Sequence, residues 1–265
     1  MSESYPDAMV IQASGFGRSL TARQSIENAK KVLLDFERIS PWRRPFMVNG
    51  CTEETDDMPI AEDLSNFEEV LMHALQSYDD VRYFNDNDPD NWKLTPDSRS
   101  PYGFSLTFSD IHHDKDAWKS IPFSIQAAGF RDGISRENSV YVIRIPFYGK
   151  GEKNSNWSDP TIVFRIFNYF IDTFDPMKCV VFGNRQAREL SRESNSHLPK
   201  YIIGWLNYTR DPKIMEVFND IGKAIPYRSG VLLKLGDDAS ALSDPKVDAE
   251  LAEIGEMLRS AGVSH

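Results

Sequence analysis

Between Gly103 and Phe147 the chain carries three strand-type runs with no helical pattern among them. GFSLTFSD (103–110) alternates strictly, with Phe104, Leu106 and Phe108 set against Ser105, Thr107 and Ser109. PFSIQAAGF (122–130) repeats the pattern with Phe123, Ile125 and Ala127. SVYVIRIPF (139–147) is apolar on both faces, as in a strand covered on both sides. A period of two is the signature of a strand, because successive side chains point to opposite faces. Parallel neighbours need long crossovers, usually helical, so the simplest joining of these three is an antiparallel meander.

Helical patterns flank this block. TARQSIENAKKVLLDFERISP (21–41) opens on a capping box, Thr21 with Gln24, and closes at Pro41. Ile26, Ala29, Leu33 and Phe36 fall on one face of it. WRRPFMVNG (42–50) reads as a connector, after which Pro59 leads into a second helix with Ile60, Leu64, Phe67, Leu71 and Leu75 in register. Asp159-Pro160 starts a third helix with Ile162, Val163, Ile166, Phe167, Phe170 and Phe174 inside and Arg165, Asn168 and Asp172 outside. A helix-like stretch surrounds Ile214–Phe218, and a last helix starts at Asp244-Pro245 with Val247, Leu251, Ile254 and Leu258 on its face. AMVIQASG, DPMKCVVFGN and GVLLKL supply further strands. Strands and helices are segregated rather than alternating. The fold expected is therefore α+β: one domain over 1–265, a largely antiparallel sheet, and helices packed mainly on one face.

The residues YIIGWLNYT (201–209) sharpen this picture. They read as a buried strand, yet Gly204, which weakens a strand, stands beside Trp205. A missing side chain at Gly204 would let a neighbouring helix or the Trp205 ring approach the backbone closely. Trp205, burying roughly 200 Å², would then anchor sheet to helix. The competing reading is an exposed Trp205 acting as an interface hot spot.

Charge is unevenly distributed. The net charge is −10. Between Pro45 and Trp92 there are thirteen acids and only Arg82 as a base, a net of −12 that leaves +2 for the rest of the chain. Asp237 to Leu258 holds seven more acids against Lys246 alone. Such acidity argues against nucleic-acid binding. Concentrated in one stretch, it suggests a field aimed at a basic partner. YDDVRYFNDNDPDNWKLTPDSRSP (78–101) is long for a plain connection and mixes carboxylates with aromatic residues. No run approaches the roughly 18 apolar residues of a membrane helix, and the start of the chain has no basic, then apolar, leader pattern. Cys51 and Cys179 lack metal-type spacing and read as reduced thiols of a cytoplasmic protein, or as a pair in contact.

Catalytic and metal motifs are missing from the sequence. His112-His113-Asp114 is the nearest to an acid–base or metal cluster, but neighbouring strand residues face opposite ways. Asp86-Asn87-Asp88-Pro89-Asp90 begins like a calcium loop, but Asn91 replaces the glycine and Asp97 the glutamate. Gly15-Phe16-Gly17-Arg18 is too short to indicate a phosphate loop. Asp211-Pro212-Lys213 and Asp244-Pro245-Lys246 have the form of helix caps. A patterned fold with localised acidity points to a binding protein, not an enzyme, with no catalytic residue, metal or cofactor expected.

Several short motifs, in order, resemble the immunity protein 52 family of bacterial polymorphic toxin systems. They are Gly15 to Arg18 before a long helix, Gly103 to Leu106, Asn138 to Val140, Asp175-Pro176 before a strand, and the structural motif Gly204, Trp205, Leu206 and Tyr208. The resemblance implies an immunity-protein-like domain with a long acidic loop at about 79–99. It also implies an inhibitor that neutralises a co-encoded toxin by direct contact. Toxins of that kind, delivered by type VI and similar secretion machines, often carry a nuclease domain of the restriction-endonuclease type, so neutralisation would occur in the cytoplasm. The partner expected is then a cognate nuclease toxin with a basic surface, with no direct nucleic-acid or membrane binding and no homo-oligomer indicated. The residues expected to meet it are Asp79, Asp80, Tyr83, Phe84, Asp86, Asp88, Asp90 and Trp92. Two other classes stay open at the sequence level: a hydrolytic enzyme with a dispersed site around His112 or His113, and an assembly protein of a secretion system.

Overall fold

A computed structural model describes residues 8–15, 20–40, 44–49, 58–77, 94–98, 104–110, 123–127, 140–146, 159–183 and 203–263. In chain order they form β1 (Ala8–Ser14), α1 (Ala22–Ile39), β2 (Phe46–Asn49), β3 (Met58–Pro59), α2 (Phe67–Ser77), β4 (Phe104–Asp110), β5 (Phe123–Ala127) and β6 (Val140–Pro146). Then follow α3 (Pro160–Phe174), β7 (Lys178–Gly183), β8 (Leu206–Thr209), α4 (Pro212–Asp220), β9 (Ile225–Tyr227), β10 (Gly230–Lys234), a 3-10 helix (Ala239–Ser243) and α5 (Pro245–Ser260). The chain divides into two compact units, residues 15–143 and residues 1–14 with 144–265. Both are built from helices on antiparallel strands, so the class is α+β as the sequence pattern requires.

In the unit 15–143 the strand order is β3-β2-β4-β5-β6. The meander forms: β4 pairs antiparallel with β5 through Phe108↔Phe123, and β5 with β6 through Phe123↔Ile143. Phe104, Leu106 and Phe108 are buried, the inward set of the alternation. Helix α1 begins on the capping box, with Thr21 Oγ1 accepting from the Gln24 amide at 3.2 Å and Gln24 Oε1 accepting from the Thr21 amide at 3.0 Å. Its buried face includes Ile26, Ala29, Val32, Leu33 and Phe36. Helix α1 packs on α2, and both touch β4, where the Phe67 and Phe108 rings lie nearly parallel with centroids 6.4 Å apart.

Two boundaries differ from the sequence pattern. The connector at 42–50 contains a strand, β2, between β3 and β4. Pro59 does not open a helix; it lies in β3, and α2 starts only at Phe67. Ile60, Leu64, Phe67, Leu71 and Leu75 are all buried, but the first two reach the core from a turn. The turn is held by side chains. The Asn66 carbonyl oxygen accepts from the Ala61 amide at 2.7 Å, the Asn66 amide donates to the Pro59 carbonyl at 3.2 Å, and Leu64 takes φ +61°. Local side-chain bonding of this kind competes with helix formation, which is why periodicity alone overextends α2.

In the second unit the order is β1-β7-β8-β10-β9, with antiparallel neighbours. Helix α3 starts on Asp159, whose carboxylate accepts from the Thr161 amide at 2.8 Å, and ends on Asp175 in the left-handed region. It lies over β1 and β7. All four residues of β8 are buried, as are Gly230 to Leu233 in β10. Lys234 shares a face with Leu232 and stands over the Phe164 ring of α3. Val231 and Leu233, on the reverse face, are 5% and 0% exposed, so the sheet is covered on both sides here. Helix α4 packs on β10 and on α5. Asp211 and Asp244 cap α4 and α5, accepting from Lys213 and Lys246 amides at 2.9 Å each.

Candidate partner-binding surface

Residues expected to meet a partner, Asp79, Asp80, Tyr83, Phe84, Asp86, Asp88, Asp90 and Trp92, lie outside the described residues, as does Tyr78. Their two flanks are described. The chain leaves from the end of α2 at Ser77 and returns at Leu94, which is buried. Residues 94–98 then close a turn, with the Thr95 amide donating to Ser98 Oγ at 2.9 Å. The carbonyls of Ser98 and Pro96 accept from the Ala22 and Arg23 amides at 2.9 Å each. Those amides are first-turn donors of α1, which no helical carbonyl can satisfy. With Gln24 bonded to Thr21, the helix start is occupied, and the GFGR element before α1 does not lead to an open anion site of the phosphate-loop kind.

On the same unit, Glu62, Asp63, Glu68 and Glu69 are exposed. Glu68 and Glu69 occupy the first turn of α2, where a carboxylate suits the helix dipole. Hydrogen bonds from the Ser65 side chain and amide hold the Asp63 carboxyl below the usual aspartate range. Arg44 ties the region together: Nε meets Glu37 Oε1 at 2.8 Å, and Nη1 donates to the Glu62 carbonyl at 2.8 Å. This fixes the backbone of the acidic turn and leaves its carboxylates facing water.

The second acidic stretch, Asp237 to Leu258, is used locally. Asp237 pairs with Lys234 at 3.2 Å, Glu250 with Lys223, and Glu256 with Arg259. Asp238 caps the 3-10 helix through the Ser240 amide, and Asp244 caps α5. Bonds to the Ser240 side chain and amide lower the Asp238 carboxyl, and the Arg259 guanidinium lowers Glu256. Caps and short-range pairs explain most of this acidity without a partner.

The motif at 204–208 is internal. A Cβ at Gly204 would stand 2.1 Å from the Val181 carbonyl oxygen and 2.6 Å from Phe182 Cβ. The close approach is therefore by the backbone of β7, in place of the helix or ring the sequence suggests. Asn207 bends the chain here: its side chain accepts from the Gly204 amide at 2.8 Å and donates to the Gly204 carbonyl at 2.6 Å. This is why β8 begins only at Leu206. Trp205 is 0% exposed, donates from Nε1 to the Gly236 carbonyl at 3.0 Å, and meets the Phe164 ring edge-on at 6.1 Å. Leu206 and Tyr208 are buried as well, and burial pushes the Tyr208 hydroxyl up.

One polar constellation went unmarked by sequence reasoning. It joins the end of α3 to the β9–β10 hairpin. Arg228, at φ +52°, holds Asp172 with Nε at 2.8 Å and Nη2 at 3.0 Å. Tyr227 donates to Asn168 Oδ1 at 2.7 Å. Arg210 pairs with Asp175 at 3.0 Å and donates to the Pro176 carbonyl at 3.0 Å. The Ser229 hydroxyl is 3.0 Å from that of Tyr208 and 3.4 Å from Asp175 Oδ1. No histidine takes part, and the groups satisfy one another, so the arrangement is a clamp. Only the outward residues of α3, Asn168 and Asp172, signalled it beforehand.

His73 is exposed on α2, while His112, His113 and Asp114 lie outside the described residues. Among the described residues no group of His, Cys, Asp and Glu could hold a metal ion, and no helix is long and apolar enough to cross a membrane. Cys179 is a free, buried thiol pushed well above its usual range by desolvation, and Cys51 lies outside the described residues. No family model matches the chain and no curated protein matches it, so the resemblance to the immunity protein 52 family rests on the motifs themselves.

Proposed function

We propose that this chain is an immunity protein that binds a cognate nuclease toxin in the cytoplasm and neutralises it by direct contact. The observation that carries the reading is the concentration of charge: −12 within one stretch of a chain whose net is −10. A nuclease offers DNA a basic groove, and a carboxylate-rich surface competes for the same field. Within that stretch, Glu62, Asp63, Glu68 and Glu69 are exposed at the turn before α2 and in its first turn. Asp79, Asp80, Asp86, Asp88 and Asp90 supply the remaining contact charges, with Tyr83, Phe84 and Trp92 as aromatic anchors among them.

Complementary charge speeds capture, to about 10⁸–10⁹ M⁻¹s⁻¹ at low salt. An inhibitor that must reach the toxin before the toxin reaches DNA gains most from that term. A stable complex buries roughly 1,200–2,000 Å² in total. The test is to look for a nuclease-domain toxin gene beside the gene for this chain and to titrate its product calorimetrically with the native protein and with the Asp86→Lys, Asp88→Lys, Asp90→Lys triple variant. The triple variant binds more weakly in moderate salt while keeping the native melting curve. Equal affinities would remove the loop from the interface, and no binding by the native protein would overturn the reading.

A further inference from the structure

Strand β9 ends the strand order of its unit and is three residues long. Across the two-residue turn Arg228–Ser229, Tyr227 opposes Gly230, and further on Ile225 opposes Leu232. In an antiparallel pair, alternate residue pairs exchange both backbone bonds, and the pair flanking a two-residue turn is one that does. Tyr227 and Ile225 therefore direct N–H and C=O toward β10. Pro226, opposite Val231, is the one residue of β9 whose backbone faces away from β10. Proline has no N–H, so the outer edge of β9 carries no donor.

That edge is open to water: Pro226 is exposed and Ile225 is 55% exposed. An apolar β-branched residue beside an open edge is otherwise an invitation to strand addition. The other unit repeats the device. β3 ends its strand order, and the Ile60 amide donates to the Phe46 carbonyl at 2.8 Å. Met58 opposes Val48, which leaves Pro59, opposite Met47, at the outward position, and it too is exposed.

We propose that Pro226 keeps β9 from pairing with β9 of a second copy of this chain. Antiparallel pairing of a strand with its own copy is two-fold symmetric, so one blocked position acts twice in each contact. The block is independent of the function proposed above, because it concerns the free protein.

The experiment compares the full chain with Pro226→Val by sedimentation over a wide concentration range, together with hydrogen exchange. The native protein sediments as one species at every concentration. The variant shifts toward twice the monomer mass as concentration rises, and the amide newly present at position 226 becomes protected over the same range. A variant that stays monomeric with that amide exchanging freely overturns the proposal, as does association that leaves the amide unprotected. If the valine variant loses its cooperative melt, Pro226→Ala restores the same N–H with the smallest side chain and is judged by the same two readouts.

Discussion

The corner at the start of β8 and the acidic turn before α2 are both conspicuous in sequence, and the fold uses them in opposite ways. At the corner, Gly204 and Trp205 face inward: one admits the backbone of β7, the other fills the space against α3. At the turn, Leu64 and Phe67 face inward and the charged residues before and after them stay in water. An unusual pair of sizes is thus a statement about packing, where every ångström is contested. An unusual density of like charge is a statement about the field outside. Stability should reside in the first region and association kinetics in the second.

That contrast can be broken most forcefully at Trp205. Trp205→Ala should lower stability by about 3–5 kcal/mol, the range for deleting a buried large aromatic; an unchanged denaturant midpoint would remove the ring from the core. Gly204→Ala adds only a methyl group, but places it against a backbone carbonyl that cannot rotate away. Its cost should be about 1–3 kcal/mol, measured by chemical denaturation. Asp211→Ala and Asp244→Ala, which remove helix caps, should each cost about 1 kcal/mol. Replacing Glu62, Asp63, Glu68 and Glu69 singly by Gln should leave the denaturation midpoint close to native. If the proposed toxin partner binds here, the fourfold variant should slow that association at low salt in stopped-flow traces and converge with the native protein at high salt. A large loss of stability with no kinetic change would invert the comparison.

The smallest effect is with pH. Asp63, Asp238 and Glu256 have folded-state carboxyls held below their ordinary values by hydrogen bonds or by Arg259. Their stabilisation is complete above the ordinary carboxylate range, from about pH 5 upward, and is lost as pH falls through that range to the lowered folded values. Melting temperatures recorded from neutral pH downward should stay level to about pH 5 as far as these three groups contribute, and decline as pH falls below it. All three are surface groups, so the decline is shallow in salt.

Most helices and strands were legible because their signals are local. Thr21 with Gln24, Asp159 with Pro160 and Asp244 with Pro245 each mark a helix start within a few residues, and each is one. Phe104, Leu106 and Phe108 announced the inward face of β4 by alternation alone. What escaped notice depended on partners distant in the chain. β2 is a strand because it lies between β3 and β4; its own residues carry a proline and two arginines just upstream that read as a connector. The turn at 60–66 mimics a helical stripe, and only the Asn66 side chain reveals the break. Gly204 was recognisable as a close-approach site, but which backbone approaches it is set by the β7–β8 register. Of the candidate surface, the sequence supplied its charge, and the structure supplied the fastening of its two ends.

That fastening has a practical corollary. Because carbonyls from 94–98 complete the first turn of α1, the return leg of the acidic loop and the beginning of the helix share the same bonds. Whatever seizes the loop tugs on, or braces, that shared post. On the function proposed above, the Ala22 and Arg23 amides should act as native reporters, their exchange rates changing when a partner is added, with no label on the partner.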